Sequence, residues 1–242
     1  MATDIPFLGI VAALPAEART LGIRRAEAGA VVALGPRARA IRAGIGRARA
    51  ADAARALVDA GAGALLAWGT AAALDTALRP GDVVLPRDVL TFDGRHLAID
   101  AGWHRRMWTL VESSAGVRAG SLAEADRVLA SADDKRRLHA LSGALAADME
   151  SAAVAEAADR AGVPVLVVRA VSDGANTGIP GCALAAIDAR GDVDVSGLAL
   201  ALARAPRELP ALVRLATGFR AACTRLAALA ARAGPEFQFL PE

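Results

Sequence analysis

A chain of 242 residues that is 55% hydrophobic can fill a full α/β core, and much of its excess over an average of about 45–50% is alanine, a helix former. Its net charge of +2 rests on scattered arginines, and with 3% aromatics and no tyrosine it lacks the interleaved basic and aromatic pattern of a nucleic-acid binder. Cys182 and Cys223 are isolated and without zinc spacing, so neither a disulfide framework nor a metal site is expected, which suits a reducing cytoplasm.

Ile5 to Leu14 reads as a buried first strand ending at Pro15. It lacks a basic n-region, and Pro6 and Pro15 interrupt its apolar run, so a signal peptide is not expected. No run reaches the roughly 18–20 apolar residues of a membrane span. Ala30–Leu34 and Arg39–Ala43 follow as a short pair of strands. Gly44 and Gly46 turn the chain into an alanine-rich helix that stops at Gly61 and Gly63. Ala64–Trp68 is a short buried strand, and Gly69-Thr70-Ala71-Ala72-Ala73 follows it as a loop. Asp82–Leu85 is the next strand, and Asp93-Gly94 centres a hairpin.

Further along, the pattern predicts helices near 102–113 and 132–140, a strand over Ala144–Ala147, a helix over 149–161 and a strand over Pro164–Val171. From about Cys182 the chain is mostly helical. There Leu212, Leu215, Phe219, Ala222, Leu226 and Leu229 recur at three- and four-residue steps and form one apolar face. That face suits a core helix or, flanked by Arg214, Arg220 and Arg225, a basic surface for anionic membrane. The expected fold class is α/β: a single domain over 1–242, with a mixed central sheet flanked by helices on both faces.

Acids and small polar groups cluster at the strand ends, where open α/β sheets bind ligands. Glu17 lies just past the first strand, Gly69 and Thr70 past another, Asp148 and Glu150 past a third, and Asp173 past the last. Each has a plainer account. Acids at helix starts complement the helix dipole, and Asp173 before Gly174 shapes a turn. His96, His104 and His139 have no partner spacing and suit surface or packing roles.

Taken together, residues 5 to 176 resemble the purine nucleoside phosphorylase and nucleosidase superfamily. Gly44-Ile45-Gly46, the helix after it, the strand into Gly69-Thr70-Ala71 and Gly81-Asp82-Val83-Val84 are similar to its nucleoside-binding half. Asp148-Met149-Glu150 and Ser172-Asp173 resemble its acid-Met-Glu helix and Ser-Asp strand end. By motif the nearest branch is methylthioadenosine/S-adenosylhomocysteine nucleosidase. "LPAEAR" and "RAPRELPALVRLA" resemble a smaller branch, the hopanoid-associated phosphorylases, which are linked to adenosylhopane.

The resemblance implies cleavage of the N-glycosidic bond of a purine nucleoside, adenine being the base, in a cytoplasmic homo-oligomer with no cofactor. Thr70, Ala71 and Met149 would contact the nucleoside, Glu150 would accept from the ribose hydroxyls, and Asp173 would protonate N7 of the base, kept partly protonated by burial. Glu17 aligns with the water-activating glutamate of the nucleosidases. Arg19 and Arg47 keep phosphate open as the acceptor, with Arg47 the candidate phosphate ligand. An adenosylhopane substrate would imply a lipid-linked nucleoside and weak contact with the inner membrane surface. The contrasting reading is a non-catalytic nucleoside-binding or scaffold protein of the same fold. One departure from the family is the loop itself, where Ala72 and Ala73 replace glycines; another is the absence of an aromatic to stack on the base.

Overall fold

The computed structural model describes residues 6–25, 27–188, 190–192 and 194–239. Its first strand, β1 (Phe7–Ala12), is six consecutive buried residues with no polar alternation. That composition fits a strand covered on both faces. It runs parallel to both neighbours, β3 (Ala38–Arg42) and β4 (Ala62–Ala73). Ile5, where the sequence predicts the strand to begin, lies outside the described residues. The strand ends at Ala12, and Pro15 opens a short helix, α1 (Pro15–Thr20), where a missing N–H costs nothing. β2 (Val31–Gly35) pairs antiparallel with β3 at the sheet edge.

The second half of the sheet curls back on itself. β9 (Val165–Asp173) lies parallel to β4 and antiparallel to β5 (Val83–Leu90). β5 pairs with β7 (Val117–Glu124), β7 with β8 (Ala146–Asp148), and β8 returns to β4. These pairings close a ring around the tail of β4. Ala72 pairs with Ala147 on one side and with Asp173 on the other. The register therefore brings Asp148 and Asp173 to flank the same short segment. β6 (His96–Ala98) completes the expected hairpin with β5, and Gly94 takes the left-handed φ of 82° that its turn requires.

Two sequence expectations need correction. Residues 69–73 are not a loop. β4 continues through them, with a register shift against β9 between Ala71 and Ala72, and pairs there with β8. β7 was not expected at all. Its sequence, VRAGSLAE, is rich in small residues with little β propensity, and its pairing with β5 and β8 decides its state. Gly120 matters there, because a Cβ would lie 2.6 Å from Leu145 Cδ1.

Helices cover the sheet on both faces. α2 (Arg47–Asp59) and α5 (Ser151–Ala161) pack together on one face. Their buried residues are mostly alanines, including Ala50, Ala54, Ala152 and Ala158, whose short side chains allow close approach. On the other side, α8 (Leu209–Ala233) packs against β9, α1 and α3 (Ala101–Val111). Its buried face is Gly218, Ala222, Leu226, Leu229 and Ala233, so the C-terminal half of this helix is core. Gly218 permits the contact, since a Cβ would lie 3.1 Å from Pro80 Cβ and overlap the Ser172 carbonyl. The N-terminal half is different: Leu209 and Val213 are about half exposed. α4 (Ala132–Ser142), α6 (Gly181–Ala186) and α7 (Val195–Arg204) complete the shell. Among the described residues, no helix is long and apolar enough to cross a membrane.

Candidate active site

Glu17 is more than an acid at a helix start. It is 2% exposed, and four donors converge on its carboxylate. Oε2 accepts from the Ala13 and Leu14 N–H groups at 3.0 and 2.9 Å. Oε1 accepts from Thr70 N at 2.7 Å and Thr70 Oγ1 at 2.8 Å. The chain turn after β1 and the tail of β4 thus meet on one carboxylate. Gly69 is required beside it. A Cβ there would lie 2.7 Å from Glu17 Oε1 and overlap Arg169 Nη1.

Arg169 is a buried cation that the sequence analysis did not select. It is the one charged residue within the otherwise apolar run of β9 before Asp173, and that isolation was its signal. Its Nη2 pairs with Asp148 Oδ2 at 2.6 Å, and its Nε donates to Ser151 Oγ at 3.0 Å. Asp148 also accepts from Ser151 N at 3.0 Å, so the plainer reading of Asp148 as a helix-capping acid describes part of its role. Its Oδ1 is buried without a partner among the described residues.

Glu150 sits at the N-cap of α5, 8% exposed, and accepts from Gly46 N at 2.6 Å. The Gly44-x-Gly46 turn therefore aims a backbone donor at this acid, with Gly46 at φ 99°. Burial and the adjacent Asp148 carboxylate push Glu150 up to about 7, against the pull of Arg169 and of the Gly46 donor, and Glu17 adds to the rise. Met149, next to it, is partly buried against Leu74, Ala123 and Ala147.

Asp173 ends β9, buried, with both carboxylate oxygens engaged. Oδ1 lies 2.6 Å from Ser172 Oγ, and that hydroxyl lies 3.2 Å from the Ala71 carbonyl. The Ser172 hydroxyl thus ties the acid to the tail of β4. Oδ2 contacts the ammonium of Lys135, a fully buried residue of α4. The sequence reading treats burial as the only influence on Asp173; the structure adds this cation.

Arg47, the candidate phosphate ligand, is engaged elsewhere. Its guanidinium bonds the buried Glu124 and, at 2.7 Å, Glu156. Arg95 reaches Glu156 at 2.5 Å, and Arg160 at 3.0 Å. Although burial opposes it, the hydrogen bonds from Arg47 and Arg95 hold Glu156 below the usual carboxylate range. Arg19 instead lines a cavity of about 150 Å³ beside α1, with Arg24, Arg25, Arg42 and Asp192. The histidines do make structural contacts: His104 faces the Leu85 carbonyl at 3.1 Å and His139 the Ala144 carbonyl at 2.9 Å.

The family model described as the phosphorylase superfamily matches residues 12–203, most of the chain and all of the acids described above. The chain belongs to the phosphorylase superfamily. No curated protein gives a significant sequence match. Solved structures do match. The S-adenosylhomocysteine nucleosidase of Streptococcus pyogenes, in complex with 5-methylthiotubericidin, is 20% identical with a TM-score of 0.69, covering 96% of this chain and 97% of that one. The futalosine hydrolase of Helicobacter pylori is 16% identical at the same TM-score, covering 94% and 97%. A methylthioadenosine/S-adenosylhomocysteine nucleosidase from Neisseria meningitidis, in complex with methylthio-immucillin-A, is 18% identical at 0.69, covering 94% and 98%. At these identities the likeness is one of fold. It agrees with the α/β sheet predicted from the sequence, and the superfamily match agrees with the resemblance in the Gly-Ile-Gly and Asp-Met-Glu segments.

Proposed function

We propose that this phosphorylase-superfamily chain cleaves the N-glycosidic bond of an adenine nucleoside, with water as the acceptor. The observation that carries the reading is the convergence of Glu17, Glu150 and Asp173 around the tail of β4, each buried and each held by different donors. In this scheme a water oxygen bonds to C1′ and gives its proton to Glu17. The C1′–N9 electron pair passes into the purine, and the Asp173 proton goes to N7, so adenine leaves neutral. Glu150 accepts from the ribose hydroxyls and stabilises positive charge developing on the sugar. Thr70, Ala71 and Met149 line the nucleoside. Glu17 has its acceptor positions filled, so water enters by displacing the rotatable Thr70 hydroxyl. A non-catalytic scaffold has no use for so many buried acids, each of which costs solvation.

Water is favoured over phosphate because Arg47 is committed to Glu124 and Glu156. Phosphorolysis keeps one observation of its own, the arginine-lined cavity beside α1. The test incubates adenosine, methylthioadenosine and S-adenosylhomocysteine with the protein, with and without phosphate, and follows free adenine and the sugar product by chromatography. Equal adenine release in both, with free sugar and no sugar phosphate, supports hydrolysis. No adenine from any nucleoside sinks the enzyme reading.

The lipid-linked substrate of the hopanoid branch finds support at the surface. α7 has no buried residue; Val195 and Leu200 are 73% and 53% exposed. Arg204, Arg207 and Arg214 lie in the same stretch of chain, while of its acids Glu208 accepts from Cys182 N at 2.8 Å and Asp194 caps α7 by accepting from Gly197 N at 3.0 Å. An exposed apolar face in an arginine-bearing stretch suits weak, salt-sensitive contact with anionic lipid. This confines the proposed membrane surface to α7 and the first turns of α8. Co-sedimentation with anionic and neutral vesicles at low and high salt tests it, and equal recovery in the supernatant throughout refutes it. Homo-oligomerisation is proposed as well, with exposed Phe92 and Leu141 as surfaces to cover; light scattering that shows only monomer at micromolar concentration refutes that part.

A further inference from the structure

Lys135 is the only lysine among 28 basic residues, all the rest being arginine. It is also completely buried. Its Nζ contacts Asp173 Oδ2 and donates to the Gly174 carbonyl at 2.9 Å and the Thr177 carbonyl at 2.9 Å. Three acceptors thus match the three protons of an ammonium group. Guanidinium donors lie in a planar fork and cannot point at three acceptors arranged around one nitrogen. The position therefore calls for lysine in a chain that otherwise uses arginine. α4 delivers the residue: Ser131 caps the helix by accepting from Asp134 N at 3.1 Å, which fixes its first turn next to Lys135.

We propose that Lys135 is a positioning residue for the base-facing acid. By holding Oδ2 and tying down the 174–177 turn, it leaves Oδ1, on the Ser172 side, as the oxygen that carries and delivers the proton. Asp173 could otherwise rotate and present either oxygen. Held this way, it presents one, already in line with the Ser172 hydroxyl and the Ala71 carbonyl. The inference rests on the reading of the chain as an adenine-releasing enzyme with Asp173 as the proton donor.

The test exploits the leaving group. Adenine needs a proton at N7 to depart, whereas p-nitrophenolate is a stable anion and leaves without one. Lys135→Met is compared with wild type on adenosine, or whichever adenine nucleoside wild type cleaves fastest, and on p-nitrophenyl riboside. The expected result is a kcat loss of roughly 10²-fold or more on the adenine nucleoside, within the range for losing acid catalysis, and under about tenfold on the nitrophenyl riboside. The KM values should change less than kcat. Equal losses on both substrates overturn the inference, because a purely structural defect does not distinguish leaving groups. Should Lys135→Met fail to fold with Asp173 left unpaired, the double variant Lys135→Met, Asp173→Asn removes both charges. It should match Asp173→Asn within about twofold on the adenine nucleoside, since Lys135 then has no acid to position. A double variant much slower than Asp173→Asn overturns the inference. If wild type cleaves the nitrophenyl riboside and no adenine nucleoside, the adenine reading falls and the inference falls with it. If wild type cleaves both and only the leaving-group contrast is missing, the inference alone falls.

Discussion

Glu150 gives the chain a pH signature with a definite sign. Burial and Asp148 push it from an ordinary value near 4.5 up to about 7. A carboxylate whose folded value is raised binds more protons in the folded state than in the unfolded one across that interval. Stability therefore falls as pH rises from about 4.5 to 7, and then levels off. At about 1.4 kcal/mol per pH unit, the full penalty is on the order of 3 kcal/mol, of which about 2–3 kcal/mol develops between pH 5 and pH 8. Glu150→Gln keeps the size and one acceptor oxygen but cannot ionise, so it lacks this dependence. Urea unfolding of both proteins at pH 5, 6, 7 and 8 isolates the effect in the difference between them, because every other titrating group is shared. The variant should gain about 2–3 kcal/mol on wild type over that range, while its kcat/KM falls for want of a charged ribose acceptor. Wild-type kcat/KM should rise through pH 7 as Glu150 ionises, and the variant should lack that limb. A stability difference that is flat from pH 5 to 8 refutes the argument.

Three further substitutions test the other acids and Arg47. Asp173→Asn should lower adenine release by roughly 10²- to 10⁴-fold in steady-state assays, and near-normal turnover in a folded variant removes Asp173 from the mechanism. Glu17→Ala should abolish water-dependent release while weakening binding of a nucleoside analogue much less; it should also lose stability on the order of 1–3 kcal/mol, because three backbone N–H groups lose their acceptor. Persistent hydrolysis would reduce Glu17 to a structural anchor. Arg47→Ala should lower Tm by a few degrees, as Glu124 and Glu156 lose a shared partner, and leave the response to phosphate unchanged. A phosphate requirement that vanishes with Arg47 would return it to acceptor binding.

How much of this was legible in the sequence follows from what kind of force fixes each part. β1, β9, α3, α4, α5 and the β5–β6 hairpin come from local signals: unbroken apolar runs, helical spacing and an Asp-Gly turn. The continuation of β4 through residue 73 and the existence of β7 do not, because both depend on partner strands that no local window contains. The acids were visible because charged residues stand out at the ends of apolar strands. Their neighbours were harder to see. Arg169 lay in plain view inside an apolar strand, and Lys135 could have been found by counting lysines. Whom each pairs with is a matter of tertiary register, which places Asp148 and Asp173 on either side of the same alanines. Glu124 and Glu156 escaped notice for the opposite reason. They lie on amphipathic segments where a glutamate ordinarily faces water, and only the Arg47 and Arg95 contacts reveal that they do not.

The buried charges do not balance, and the imbalance suits the proposed chemistry. With Asp173 protonated as the proposed donor, the carboxylates buried around the tail of β4 are Glu17, Asp148 and Glu150, and once Glu150 ionises they exceed the buried cations Arg169 and Lys135 by one. Arg47 and Arg95 cannot contribute, because they lie on the Glu124 and Glu156 pair. A buried surplus of negative charge raises the energy of the ionised site, and it appears as the raised value of Glu150. A sugar developing positive charge at C1′ would supply the missing cation. It would be attracted more strongly than the neutral nucleoside that precedes it, and an interaction that grows toward the transition state accelerates the reaction instead of merely tightening binding. The strain in the resting site and the stabilisation of the reacting one then have the same origin. Asp148→Asn reads this directly: it removes one charge of the surplus, so Glu150 should titrate lower and the rise of kcat/KM should shift to lower pH, while maximal kcat falls. A profile that keeps its position with Asp148 neutral would separate the two carboxylates and leave burial, with the smaller push from Glu17, to account for Glu150.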